Sequence, residues 1–166
     1  LPNQIVIKRI CVVADDAHAR FDAVAREYLY FIHQQKNPFL RETSHFYPMP
    51  LNIEHMNAAA AILCKHLDFT TFSKKHTDVR NFNCKIDLAE WYWNEQQQLV
   101  FHVRANRFLR GMVRGLVGTQ LLIGRGSMTL EQFNDVIVSK DCQKADFSAP
   151  AHGLFLSRIE YPKGLL

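Results

Sequence analysis

The chain has 166 residues, 48% of them hydrophobic and 22% charged, and a formal net charge of +4. That balance excludes a disordered chain and suits one domain able to bury a core of ordinary size, while the basic excess fits a nucleic-acid partner without demanding one. No stretch reaches the ~18 uninterrupted apolar residues of a membrane span and no signal-peptide pattern is seen, so a cytoplasmic protein with no membrane partner is expected.

Residues 5–14 (IVIKRICVVA) are apolar and β-branched and predict a strand. A polar connection runs from Asp15 to Asp22. Residues 26–33 (REYLYFIH) predict a second strand, with Tyr28, Tyr30 and Ile32 on one face and Leu29 and Phe31 on the other. Prolines 38, 48 and 50 punctuate the loop that follows. Asn52 is a suitable cap for a helix reaching about Lys65, with Ile53, Met56, Ala60 and Leu63 as its buried stripe. Residues 84–93 and 99–105 predict a hairpin joined through 94–98. In its second strand Leu99, Phe101, Val103 and Ala105 point one way, and Val100, His102 and Arg104 the other. A helix is predicted over about 106–124, a shorter one over 130–138, and a last strand over about 154–161. The sum is a single α+β domain over residues 1–166, a mostly antiparallel sheet with helices packed on it.

The segment 107–118 (RFLRGMVRGLVG) stands out. On a helix, Arg107, Arg110 and Arg114 would share one stripe, Gly111, Gly115 and Gly118 would lie beside them, and the apolar residues would cover the opposite face. Each interior glycine costs a helix about 1 kcal/mol against alanine, so three of them need a reason. One reading is a face that lets a polyanion or a backbone approach fixed guanidiniums. The other is a small-residue helix packed tightly on a sheet, with its arginines in solvent.

Familiar catalytic signatures are missing: there is no Walker loop, no GxSxG and no GxGxxG opening a helix. The four cysteines, Cys11, Cys64, Cys84 and Cys142, form no CxxC pair, and Cys11 and Cys64 read as small core residues. The eight histidines show no paired ligand spacing, so no metal site is expected. Asp68 reads as the cap of a turn rather than a catalytic acid. The loop 73–80 (SKKHTDVR) is either a phosphate contact or a solvated loop. His18, Arg20 and Phe21 set a base, a guanidinium and an aromatic close together, a combination able to wedge into RNA and hold a displaced nucleotide.

Six blocks in fixed order then carry a resemblance. They are LPxxIVI (1–7), HARFDAVAREYLYFI (18–32), HFYP (45–48), DFTTF (68–72), RANRFLRGMVRGLVG (104–118) and AHGLFLSRIEYP (151–162). Together they resemble the C-terminal half of a tRNA pseudouridine synthase of the TruA family. The resemblance implies a reaction in which a uridine is flipped into a cleft, its glycosidic bond to N1 is broken, and the uracil is rotated and rejoined through C5. It implies no metal and no organic cofactor.

In that family the nucleophile is an aspartate in a GRTDxGVH-type motif upstream of the LP block, and no such motif occurs here. The resemblance therefore implies a chain without the N-terminal half, inactive by itself. Arg114 matches the family arginine that pairs with the catalytic aspartate, and Tyr28 the tyrosine that packs on the flipped uracil and helps remove the C5 proton. Leu154 matches the aliphatic residue that closes the uracil pocket, with plain core as the alternative. Arg20, Arg107 and Arg110 are placed as RNA contacts, phosphate ligands by position alone. The implied partner is the tRNA anticodon stem-loop, with modification at uridines 38 to 40, and the implied full-length assembly is a homodimer. Two rivals stay open: a non-catalytic RNA-binding or dimerisation domain of the same fold, and a synthase acting on a different uridine.

Overall fold

A computed structural model describes residues 1–74 and 81–165. The strand β1 (Ala25–His33) lies at its centre. Along one edge β1 pairs antiparallel with β4 (Leu99–Ala105), which pairs in turn with β3 (Ile86–Trp93). The other edge of β1 is shared. β5 (Leu154–Glu160) runs antiparallel along residues 25–30, and the short β2 (His45–Phe46) runs parallel at Ile32 and His33. This is the mostly antiparallel α+β arrangement expected from the sequence.

The inward face carries the large apolar side chains. Tyr30, Ile32, Leu99, Phe101 and Val103 are fully buried, and Trp91 stacks on Phe101 with ring centroids 4.8 Å apart. Full burial of such side chains contributes roughly 1.5–3 kcal/mol each. α1 (Ile53–Leu63) and α2 (Met112–Gly124) cover this face, and α3 (Leu130–Val138) packs beside them. Asn52 caps α1 by accepting from the His55 N–H, and α1 buries Met56, Ala60 and Leu63 as predicted, with Ile53 half-buried. Asn57 also closes the outer edge of β3. Its amide donates to the Trp91 carbonyl at 2.9 Å and accepts from the Trp91 N–H at 2.8 Å. Among the described residues no helix is long and apolar enough to cross a membrane.

Three expectations need correction. Residues 5–14 form no strand: they are exposed throughout, and among the described residues nothing pairs with them. A strand needs a hydrogen-bonding neighbour as well as a β-branched sequence. Cys11 and Cys64 are exposed, and Cys84 is the buried cysteine, its thiol pushed up to about 11 by burial, with Arg107 pulling the other way. Third, α2 begins at Met112 rather than near residue 106, because Gly111 sits at φ 79°, in the left-handed region where a helix cannot continue. Arg107 and Arg110 therefore precede the helix, and the stripe of three helical arginines does not exist.

Candidate RNA-contact and uridine site

The chain approaching α2 folds back on β1. Phe108 meets the ring of Tyr28 edge-on, with centroids 5.0 Å apart and an interplanar angle of 80°. A cavity of about 440 Å³ opens beside this pair. Its lining includes Arg20, Tyr28, Arg110 and Leu154, together with Phe108 and residues 109–113. Four of the six residues singled out in the sequence thus meet in one concave site. Tyr28 and Leu154 are half-buried, and Arg20 and Arg110 are exposed at the rim.

Arg114 lies a half-turn into α2 and does not line that cavity. Its Nε donates to the Ala149 carbonyl and its Nη2 to the Phe147 carbonyl at 3.4 Å. Tyr30 ties down the same segment, its hydroxyl donating to the Pro150 carbonyl at 2.8 Å. Burial pushes the Tyr30 hydroxyl well above the usual phenol range despite the pull of the nearby Arg114 charge, so it stays a donor. The guanidinium of Arg114 is thereby tied to the segment leading to Leu154. Arg107 lies apart from the cavity, close enough to Cys84 for its charge to be felt there.

Gly115 and Gly118 of α2 serve this same junction. A Cβ on Gly115 would come within 2.8 Å of the Phe147 ring, and one on Gly118 would collide with the backbone carbonyl of Asp146. At Gly118 what approaches the helix is the chain's own backbone, which Thr119 also holds by accepting from the Asp146 N–H at 3.0 Å. The close approach is made by segment 146–147 rather than by the sheet that the tight-packing reading named, and Arg114 beside it is bonded to carbonyls rather than left in solvent.

The turn 18–22 is compact. His18 Nδ1 accepts from the N–H groups of Arg20 and Phe21, and the Arg20 guanidinium lies 5.6 Å from the Phe21 ring centre. Phe21 is 73% exposed, so the aromatic projects from the surface. Sequence reasoning missed Arg26, whose guanidinium donates to the carbonyls of Arg20, Ala23 and Asn106. It fastens the Arg20 turn to the loop leading to Arg107. The available signal was a lone arginine opening an otherwise aromatic strand.

Asp68 is a turn cap, accepting from the Thr70 N–H at 3.0 Å and the Thr70 hydroxyl at 2.6 Å, and paired with Lys140 at 2.8 Å. Its carboxyl is held down at about 2, because these bonds outweigh the upward push of burial. Of the loop 73–80, residues 75–80 lie outside the described residues. Lys74 donates its backbone N–H to the Arg110 carbonyl at 3.1 Å, and its side chain lies along Gly111.

Comparison with known proteins adds an independent finding. Residues 58–162 match the family model described as tRNA pseudouridine synthase. The chain is 48% identical over 166 residues to the tRNA pseudouridine synthase A of Porphyromonas gingivalis, an alignment covering 99% of this chain and 66% of that protein. It is 47% identical to the protein of the same name from Parabacteroides distasonis, covering 99% of this chain and 65% of the relative. The Chloroflexus aurantiacus protein is 38% identical over 172 residues, covering 100% and 62%. The chain thus spans somewhat under two thirds of the length of these curated relatives.

Proposed function

This chain belongs to the tRNA pseudouridine synthase family, and from that premise we propose that it is the C-terminal part of an enzyme converting uridine to pseudouridine in tRNA. The observation carrying the reading is the cavity that joins Tyr28 and Leu154 under a rim of Arg20 and Arg110, with Arg114 fixed one layer behind. Tyr28 and Leu154 supply an aromatic and an aliphatic wall for a flat uracil. Arg20 and Arg110 supply charge for the phosphates that flank a flipped nucleotide.

The chemistry is divided. The glycosidic bond between C1′ and N1 breaks, a bond from C1′ to C5 forms, and the C5 proton leaves while N1 gains one. Tyr28 holds the base and takes part in the proton removal. Arg114 keeps an incoming carboxylate ionised and oriented through a charge-assisted hydrogen bond. That carboxylate belongs to an upstream half, so this chain alone does not turn over, and no cofactor is involved. The finer features of the proposal are uridines 38 to 40 of the anticodon stem-loop as target, a homodimer as the working assembly, and the cytoplasm as its location. Arg107, standing apart from the cavity, is kept as an RNA contact outside the uridine cleft.

The test is pseudouridine formation on unmodified tRNA by this chain, alone and mixed with the upstream half of its parent. Product only in the mixture is expected. Product from the chain alone would place the nucleophile within these 166 residues and overturn the division. Binding without product in either case would favour a non-catalytic RNA-binding domain.

A further inference from the structure

The C-terminal end of β1 holds a second concave surface that the uridine site does not use. Tyr28 and His33 are five residues apart on one strand, roughly 17 Å at the usual rise. Around His33 lies a cavity of about 590 Å³, walled by Phe46 and His45 on β2 and by His152 just before β5. Lys36 and Arg41 also line it. A neighbouring cavity of about 560 Å³ shares His33, Lys36 and Asn37 with the first and extends to Trp93 and the Gln96–Gln97 turn. Among the described residues lining either cavity, none is acidic. Arg41 does meet Glu42 at 3.7 Å, but both side chains are more than 80% exposed, and a pair so open to water is weak and easily exchanged for another anion.

The chemistry is of three kinds in one place. Lys36 is an exposed cation, and Arg41 a second. Phe46 is 41% exposed and Trp93 46%, so both leave aromatic surface open to a ligand. The imidazoles supply hydrogen bonds. His33 Nδ1 is 3.0 Å from the Ser44 hydroxyl, which fixes the ring at the shared wall of the two cavities. Burial lowers the His33 and His45 imidazoles below the usual range, with His152 adding to the effect, so both are neutral donor–acceptor groups near pH 7. Cations, open aromatic faces and neutral polar edges are the combination that takes unpaired RNA, by phosphate contact, stacking and base-edge hydrogen bonds together.

We propose that this double cavity is a second RNA-contact surface, binding an unpaired strand of the tRNA outside the uridine cleft. Phosphates rest on Lys36 and Arg41, and bases lie against Phe46 and Trp93 within reach of the exposed His152, with His33 buried behind them in the shared wall. The proposal rests on the tRNA reading above and adds a place where the substrate is held rather than converted.

The test uses the full-length parent. The double variant Lys36→Ala with Arg41→Ala removes two exposed side chains and leaves the uridine site untouched. Its affinity for unmodified tRNA should fall about tenfold, and the slope of log affinity against log salt should become shallower by about 1.4, the loss of two single-strand phosphate contacts. Turnover at saturating tRNA should be unchanged. Wild-type affinity and slope would overturn the proposal. As a second readout, NMR signals of the His33, His45 and His152 rings should respond to a short oligouridylate at far lower concentration than to inorganic phosphate. An equal response would reduce the surface to a simple anion site and overturn the RNA assignment. A parent that makes no pseudouridine yet shows both effects would defeat the enzymatic reading and leave this surface standing.

Discussion

Two stretches of this chain look alike as sequence and end in opposite states. Residues 5–14 and 25–33 are both apolar and rich in β-formers, yet the first is exposed throughout and the second is the most connected strand of the sheet. The second has β4 along one edge and β5 and β2 along the other. The first has no strand beside it among the described residues. Residue preference specifies a surface able to join a sheet, while the sheet itself is completed by partners from elsewhere. Tyr28, on β1, lines the cavity beside α2, and Tyr30, on the same strand, holds the Pro150 carbonyl next to the segment that binds Arg114.

The most sensitive position on the β1 side is Arg114. In the full-length parent, Arg114→Lys should lower turnover by about 100-fold or more, because an ammonium cannot reproduce the fork of the guanidinium. Affinity for tRNA should stay within a few-fold. Near-normal kcat for the variant would show that β1 and its supports do not aim a catalytic cation. Tyr28→Phe separates stacking from proton handling at the same wall: tRNA binding should persist, and most of the turnover should be lost.

Next in size is the junction beneath the site. In an ordinary helix Gly118→Ala would stabilise by about 1 kcal/mol. Here the new methyl meets the Asp146 carbonyl, which belongs to the backbone and cannot swing aside. A net loss on the order of 2 kcal/mol is expected, read as a lowered denaturation midpoint. A gain in stability would mean that segment 146–150 is not pressed against α2.

How much of this was legible follows the same division. The alternation of Tyr28, Tyr30 and Ile32, the 84–105 hairpin, the Asn52 cap and the helix at 130–138 were readable because each carries its signal locally, in a period or a cap. The start of α2 was not, since the apolar periodicity runs unbroken from Phe108 while the break lies in the backbone angle of Gly111. The cavity beside Tyr28 leaves no local signal in the sequence. Nothing in composition says that Arg20, Tyr28, Arg110 and Leu154, spread over most of the chain, converge. Arg26 escaped notice because its work is on backbone carbonyls, which leave no mark in a sequence.

A smaller effect is set by pH at the far end of β1. His33 and His45 have lowered folded-state values, chiefly from burial. The unfolded chain therefore binds the proton more tightly, and their contribution to stability is present above the ordinary value of about 6.5 and lost as pH falls below it. The denaturation midpoint should decline between about pH 7 and pH 5, and the double variant His33→Asn with His45→Asn should flatten that decline. An unchanged slope would place the acid sensitivity elsewhere in the molecule.

The smallest expected effect falls on the unpaired run and bears most directly on the comparison. Ile10 is 84% exposed and Val12 99%, so replacing both with Lys should leave the stability of this chain within about 0.5 kcal/mol of the original, as for any exposed site without partners. The same substitutions should weaken association with the upstream half of the parent, because a run of β-branched side chains left in water is stable only until an edge is offered to it. Loss of stability in the isolated chain would show that residues 5–14 already lean on the sheet. Unchanged stability with unchanged association would mean the run is no docking strand, and that β1 alone carries the strand signal to its conclusion.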